Sequence, residues 1–410
     1  MRSKAIGGIA AQSMQALISL VLQIMVSRIL GIDDFGQFAI LYGIIVLATA
    51  VITGLVGDTL VVLDRSRHGI RAGLEGTLAL VTASAAVIAG VLAWATGFVS
   101  GVDAVLFGAA LAAFAVEEIV RRLLMARLAF PRVIATDLAG FVIALLVLGA
   151  VWLAQPLTLG AFLGAIAAGQ AVAACVGWFL VPRDDRFLVR LGGADYAAVW
   201  KYGSWRGLQQ TLRPAMFTAT RLLVLGFAGL TAVGELEAAR TYTSPLILVV
   251  GGFSSYLFVR FAGKHRDGEG ADSLREADRV VLVLLGLTIV MGAIAVALAP
   301  LVGPLAFGVE LNTVAVVAWV AYGASVAMVT PYGALGAVSG RQTAVFLIRL
   351  GDTVLGLAAA TVILASGLSP ATVPFALAVA SLLGGIGLRW LAASSKDTPR
   401  SHPDGTPSFG

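Results

Sequence analysis

Apolar stretches of roughly 20 to 28 residues recur along this chain, each long enough to cross a bilayer with some tilt. In the first half they run over residues 5–30, 36–63, 74–97, 104–128, 134–154 and 157–181, and in the second over 203–229, 233–261, 280–303, 313–337, 342–365 and 371–392. Short polar connections separate them. The pattern predicts an all-α polytopic membrane protein of twelve transmembrane helices. It divides into an N-terminal six-helix lobe (1–181), a linker (182–202), a C-terminal six-helix lobe (203–392) and a tail (393–410) with the composition of disorder. An early apolar run follows Arg2 and Lys4, lacks a small-residue cleavage site and leads directly into further spans, so it reads as the first helix.

Lysine and arginine orient these spans. Arg2 and Lys4, Arg65, Arg67 and Arg71, Arg127 and Arg132, Arg183, Arg186 and Arg190, the "GKHRDGEGADSLREADR" connection and the tail alternate onto one side. The opposite connections, "GIDDF", "FVSGVD", "QP", "LTA", "PLAFGVELN" and "SGLSP", contain neither residue. The positive-inside rule then places both termini in the cytoplasm.

Composition agrees and narrows the chemistry. Of 410 residues, 59% are hydrophobic and 12% charged, with a mean hydropathy of +0.94, well beyond a soluble domain. The one cysteine, Cys175, lies in an apolar run beside Trp178 and reads as a packing residue, which excludes a disulfide framework and a thiolate metal cluster. His68, His265 and His402 fall in polar connections or the tail, so no histidine-based zinc site is expected inside the membrane. No cofactor, metal, catalytic residue or nucleic-acid partner is expected; membrane lipid is.

The halves carry a repeat. "GIDDFGQFAIL" from Gly31 and "GLTAVGELEAA" from Gly229 share Gly-x4-Gly followed by Gln or Glu, at an offset of 198 residues. Both follow the first helix of their half and run in the same direction, which predicts two lobes related by a parallel pseudo-twofold axis along the membrane normal.

The segment "VSRILGIDDFGQFAILYGIIVLATAVITGLVGDTLV" resembles the opening of polysaccharide flippases, the O-antigen flippase type of the multidrug, oligosaccharidyl-lipid and polysaccharide exporter superfamily, on Arg28, Gly31, Asp33, Asp34, Gly36 and Phe38. "EEIVRRLLMARLAFPRVIATDLAGFVIALLVLG" resembles that family's fourth-to-fifth helix region. The resemblance implies a fold of the superfamily's multidrug-exporter kind, with a central cavity between lobes and alternating access. It also implies movement of a polyprenyl-diphosphate-linked glycan between leaflets of a bacterial inner membrane, with glycan-assembly proteins as possible partners.

Candidate path residues follow from helical geometry. Arg213 lies about 20° from Arg206 around the seventh helix and Arg221 about 60° the other way, so the three share one face over about 22 Å. Arginine's planar fork suits a diphosphate. The first helix presents Gln12, Gln15, Ser19, Gln23 and Ser27 as a polar stripe turned away from lipid. Arg206 can equally snorkel to headgroups, Arg213 and Arg221 can pair with acids across helices, and Arg240 has Glu237 one turn before it.

Arg349 and Asp352 stand one turn apart in the eleventh helix, either as a static pair or as a switch coupled to a proton or sodium ion. Asp58, Glu117 and Glu118, with Arg121 and Arg122, are candidates for gating or for interfacial salt bridges. Pro214, Pro245 and Pro331 predict kinks, static or hinged.

Three functions compete: a lipid-linked oligosaccharide flippase, a drug or metabolite cation antiporter of the same superfamily, and a membrane-embedded glycan polymerase or ligase. Outer-side connections are short and hold only Asp33, Asp34, Asp103 and Glu310 as carboxylates, which disfavours the enzyme. An acidic cavity is expected of a cation exporter, and the seventh helix offers arginines instead.

Overall fold

The computed structural model describes the backbone of residues 2–64, 67–186, 192–266 and 273–394, and their side chains except at 2–6, 184 and 252–266. It is all-helical. The first half contains α1 (Arg2–Leu30), α2 (Ile32–Val62), α3 (His68–Ala95), α4 (Gly101–Ala126), α5 (Phe130–Ala154) and α6 (Leu159–Leu180). The second contains α7 (residues 196–228), α8 (230–266), α9 (Ser273–Phe307), α10 (Thr313–Val338), α11 (Gln342–Ala365) and α12 (Val373–Ala393).

Ten segments are long and apolar enough to cross a membrane, one of them holding both α7 and α8. The remaining helix, α4, has Glu117, Glu118, Arg121 and Arg122 in its C-terminal half. The chain is a multi-pass membrane protein.

Local chemistry sets one end of the bundle. Gly31 (φ 86°, ψ 178°) and Gly229 (φ 82°, ψ −178°) are single-residue breaks with the same left-handed φ, one before α2 and one before α8. Only glycine adopts such a backbone cheaply. The other helices starting at this end have side-chain N-caps. Ser100 accepts from the Asp103 N–H, Thr158 from Ala161, Asn312 from Val314 and Ala315, and Ser369 from Ala371. We call this the glycine end, and the opposite end, with the arginine-rich connections, the basic end.

Two expectations are corrected. The seventh helix starts at Tyr196, so residues 196–202 of the expected linker are helical, as are most of the expected 262–279 connection, where α8 continues to Arg266 and α9 starts at Ser273. Pro214 and Pro245 lie inside the helical segment 196–266, whose one non-helical residue is Gly229, and Pro331 lies inside α10, which is continuous through it. The irregular turns are π-helical, Thr53–Gly57 in α2 and Gly303–Phe307 in α9. Finally, Cys175 is exposed rather than packed. The expected tail lies outside the described residues from 395 onward.

The halves meet along α2 and α7. A Cβ on Gly36 would stand 2.3 Å from the Leu230 carbonyl oxygen, and one on Gly234 2.1 Å from that of Ile32. Shifting either partner by 198 turns one contact into the other, as a twofold requires. On the axis, Thr231 Oγ1 donates to Asp33 Oδ1 at 2.6 Å, across the same 198-residue offset. Further along, a Cβ on Gly54 would stand 2.3 Å from Gly207 Cα. Small residues thus bring the backbones together where bulk would hold them apart.

Candidate functional site

At the glycine end the lobes are latched. Ser27 donates to the Phe307 carbonyl at 3.1 Å and Arg28 to those of Pro304 (3.1 Å) and Leu305, all in the π-turn of α9. These are among the last four carbonyls of α9, which no N–H of that helix can reach. Deeper, Gln23 accepts from Thr241 Oγ1 at 3.0 Å and donates to Ser19 Oγ at 3.1 Å, while Ser19 and Tyr42 share a hydrogen bond of 3.1 Å. Among the described residues no hydrogen bond or ion pair joins α1 to α8 nearer the basic end. There Gln15 is half-buried and Gln12 exposed.

The opposing wall obeys the same offset. Gln15, Ser19, Gln23 and Tyr42 correspond to Arg213, Phe217, Arg221 and Arg240. The Gln23–Thr241 contact corresponds to Arg221 against Gly43, where a Cβ would stand 2.3 Å from Arg221 Nη1. The Ser19–Tyr42 bond corresponds to the Arg240 guanidinium 5.5 Å from the Phe217 ring centroid.

Burial separates the arginines that share a face. Arg221 is 8% exposed and donates from Nε (3.1 Å) and Nη2 (2.9 Å) to the two carboxylate oxygens of Glu237. Arg240 donates to the same carboxylate from Nε at 2.8 Å and from Nη2. One carboxylate thus holds two guanidiniums, which offsets the ~2.5–3.5 kcal/mol that each arginine costs in hydrocarbon. Arg206 instead pairs with Asp58 at 3.0 Å. Arg213 is exposed and has no ion pair or hydrogen bond among the described residues; its guanidinium lies 5.7 Å from the Phe217 centroid, within cation–π range.

The three-arginine ladder is therefore two anchored rungs and one open one. Phe217, Arg221, Glu237, Arg240 and Trp319 line a small chamber, capped where Trp319 Nε1 donates to the Leu236 carbonyl at 3.0 Å. Counting Arg213, the wall carries three guanidiniums against one carboxylate, a net +2. The facing stretch of α1, residues 7–27, has no charged residue.

Asp58 sits at a junction of lobes. It accepts from Arg206 at 3.0 Å and Gln210 at 3.2 Å, both on α7, and from Arg122 on α4 at 3.4 Å. Arg122 also pairs with Glu118 at 3.0 Å. Glu117 is buried beside them. Arg349 and Asp352 form a 2.6 Å pair, with Arg349 donating to Ser381 of α12 at 3.3 Å, inside the C-terminal half and apart from the chamber. Tyr42, Thr241 and Phe217 are site residues that sequence reasoning passed over. For the first two the 198-residue offset was the available signal, since it maps them onto Arg240 and Gly43.

No family model matches the chain, and no curated protein does. Solved structures do. A multidrug resistance MATE family transporter of the MOP superfamily, in an inward-facing conformation, superposes with a TM-score of 0.73 at 15% identity, covering 97% of this chain and 100% of that one. An outward-facing conformation of a MATE family transporter of that superfamily gives 0.59 at 14%, covering 96% of each. A MOP superfamily transporter from Pyrococcus furiosus, described by the reverse polarity of its binding pocket, gives 0.63 at 14%, covering 96% and 95%. The fold is that of the MATE transporters, with two lobes about a central axis.

Proposed function

We propose that this chain is a transporter that moves a polyprenyl-diphosphate-linked glycan from the inner to the outer leaflet of a bacterial inner membrane by alternating access, with residues 1–181 and 203–392 as its lobes. The net +2 of the α7–α8 wall, with Arg213 open, is the observation that carries the reading. It is opposite in sign to a diphosphate and equal in magnitude, while the glutamines of α1 offer neutral hydrogen bonds to sugars. With the basic end cytoplasmic, the glycine-end latches give an inward-facing state, and the higher likeness to an inward-facing MATE structure supports this. A fold that accommodates a pocket of reversed polarity in one transporter leaves room for an anionic substrate here.

A cation exporter would meet the same +2 as a repulsion. The non-enzyme reading rests on neighbours described as transporters. Proton or sodium coupling and work beside glycan-assembly proteins belong to the same proposal.

In liposomes holding a polyprenyl-diphosphate-linked oligosaccharide, Arg213→Gln is expected to slow arrival at the opposite leaflet by about ten- to a hundredfold, the worth of a charged hydrogen bond. Arg213→Lys should recover part of it, because a point charge replaces a fork. Unchanged arrival in Arg213→Gln, or uptake of small organic cations by the wild type, would overturn the reading.

A further inference from the structure

The membrane-facing side of α7 holds a feature that the substrate path does not use. Near the basic end α7 touches α11, the Trp205 and Phe346 rings meeting edge to face with centroids 5.0 Å apart. Toward the glycine end the same two helices enclose a groove of about 590 Å³. Ala219, Leu222 and Leu223 form its α7 wall, and Val354, Leu357, Ala358 and Thr361 its α11 wall. The one polar side chain among them is already used, since Thr361 Oγ1 donates to the Leu357 carbonyl of its own helix at 2.9 Å. Alanines stand where a larger side chain from either helix would have filled the space.

What fills such a space follows from the medium. Left empty, the groove would strip its walls of dispersion contacts, and water entering it would find no polar partner. Its rim residues Leu222 and Val354 are exposed and lie among further exposed apolar side chains of the same helices, Phe227, Leu347, Leu355 and Val362. In a multi-pass protein that surface faces hydrocarbon. Leu223 lies six residues, about 9 Å, before the break at Gly229, and Thr361 four residues, about 6 Å, before the end of α11. The groove therefore occupies the half of the membrane at the glycine end. Its position also separates it from the cargo: Leu222 follows Arg213 by nine residues, about 180° around α7 from the arginine that the substrate would meet.

We propose that the groove binds one acyl chain of a phospholipid from the leaflet at the glycine end. The two turns of α7 that form its wall line the chamber on their other side, Thr220, Arg221 and Val224 alternating with Ala219, Leu222 and Leu223. The chamber is thus one helix away from the lipid, and the chain packs behind α7 at the level where Arg221 meets Glu237. An occupied groove holds α7 against the chamber, whereas an empty one lets the helix settle toward α11. The site goes beyond the flippase reading and does not depend on it.

The test uses the purified full chain in liposomes containing a phosphatidylethanolamine with a photoactivatable diazirine in one acyl chain, and maps the cross-linked positions by peptide mass spectrometry. Expected is labelling of residues 219–223 and 354–361 several-fold above that of the exposed α9 face at Leu282, Val283, Ile289 and Val290. Ala219→Phe with Ala358→Phe, whose rings fill the groove, should bring it down to the α9 level while α9 itself is labelled as before. Added to lipid-stripped protein, the phospholipid should raise the thermal midpoint of the wild type more than that of the filled variant, because a ligand stabilises the state that binds it. The wild-type ratio decides alone if the variant does not fold. Equal labelling of the two faces in the wild type would overturn the site, leaving only lipid in general contact. So would a groove labelled by a diazirine-bearing polyprenyl phosphate in preference to the phospholipid, which would give it to the tail of the cargo. Transport need not be measured, so failure here and failure of the flippase reading remain distinct.

Discussion

Gly234→Val is expected to hold the glycine end of the bundle open and to abolish alternating access. A side chain at Gly234 would place its Cβ 2.1 Å from the Ile32 carbonyl oxygen, a backbone atom that cannot rotate aside. The clash is relieved only by moving α8 away from α2, and with it the Thr231–Asp33 bond on the axis. Gly36→Val should do the same from the other lobe, because its Cβ would stand 2.3 Å from Leu230 O. Spin labels on Thr96→Cys and Leu368→Cys, both exposed at the glycine end, report the opening in a Cys175→Ser background. The wild type should show a short-distance population that the glycine variants lose, with transport falling to the level of empty liposomes. An unchanged distance distribution would mean that this contact is not a gate.

Glu237→Ala should be the most destabilising single change in the chamber. Its carboxylate accepts from Arg221 and Arg240 at once and is itself 3% exposed, so its removal strands two guanidiniums in a low-dielectric site. Breaking a buried pair from one side costs about 3–5 kcal/mol. Glu237→Gln should cost less, since its amide oxygen still accepts from one arginine. The double variant Glu237→Gln with Arg221→Gln should recover part of the loss, because it removes a stranded charge. Thermal denaturation of the wild type, Glu237→Gln, Arg221→Gln and the double variant in one detergent gives the coupling. Additive losses would show that Arg221 does not depend on Glu237.

How much of this was legible in the sequence depends on the range of the interaction. Spans and their count follow from local hydropathy, because hydrocarbon demands an apolar surface and internally satisfied backbone wherever the chain crosses it. The repeat was legible because Gly31 and Gly229 must take the same left-handed φ. Pairing was legible only within a turn, as for Arg240 with Glu237 and Arg349 with Asp352. That Arg221 shares the first carboxylate depends on how α7 packs on α8, which no helical wheel contains. Arg206, Arg213 and Arg221 do share a face. What separates them is depth, since Arg221 lies where the lobes have closed and Arg213 where they have not. The prolines lie inside continuous helix, while the π-helical irregularities fell at Thr53–Gly57 and Gly303–Phe307, where no proline rule points to the first.

The π-turn of α2 has a consequence for the length of the chain itself. The Asp58 N–H reaches back five residues to the Thr53 carbonyl, so this stretch holds one residue more than a regular helix would. An inserted residue left in place has this geometry. Every side chain beyond it is turned by about 100° relative to an α-helix lacking that residue, and Asp58 is the first of them. Deleting one residue within 53–57 should therefore leave a continuous, still apolar helix whose aspartate points away from Arg206 and Arg122. The ionic link between the lobes is thus set by a count of residues, and related chains that lack the extra one would need their acid one position away.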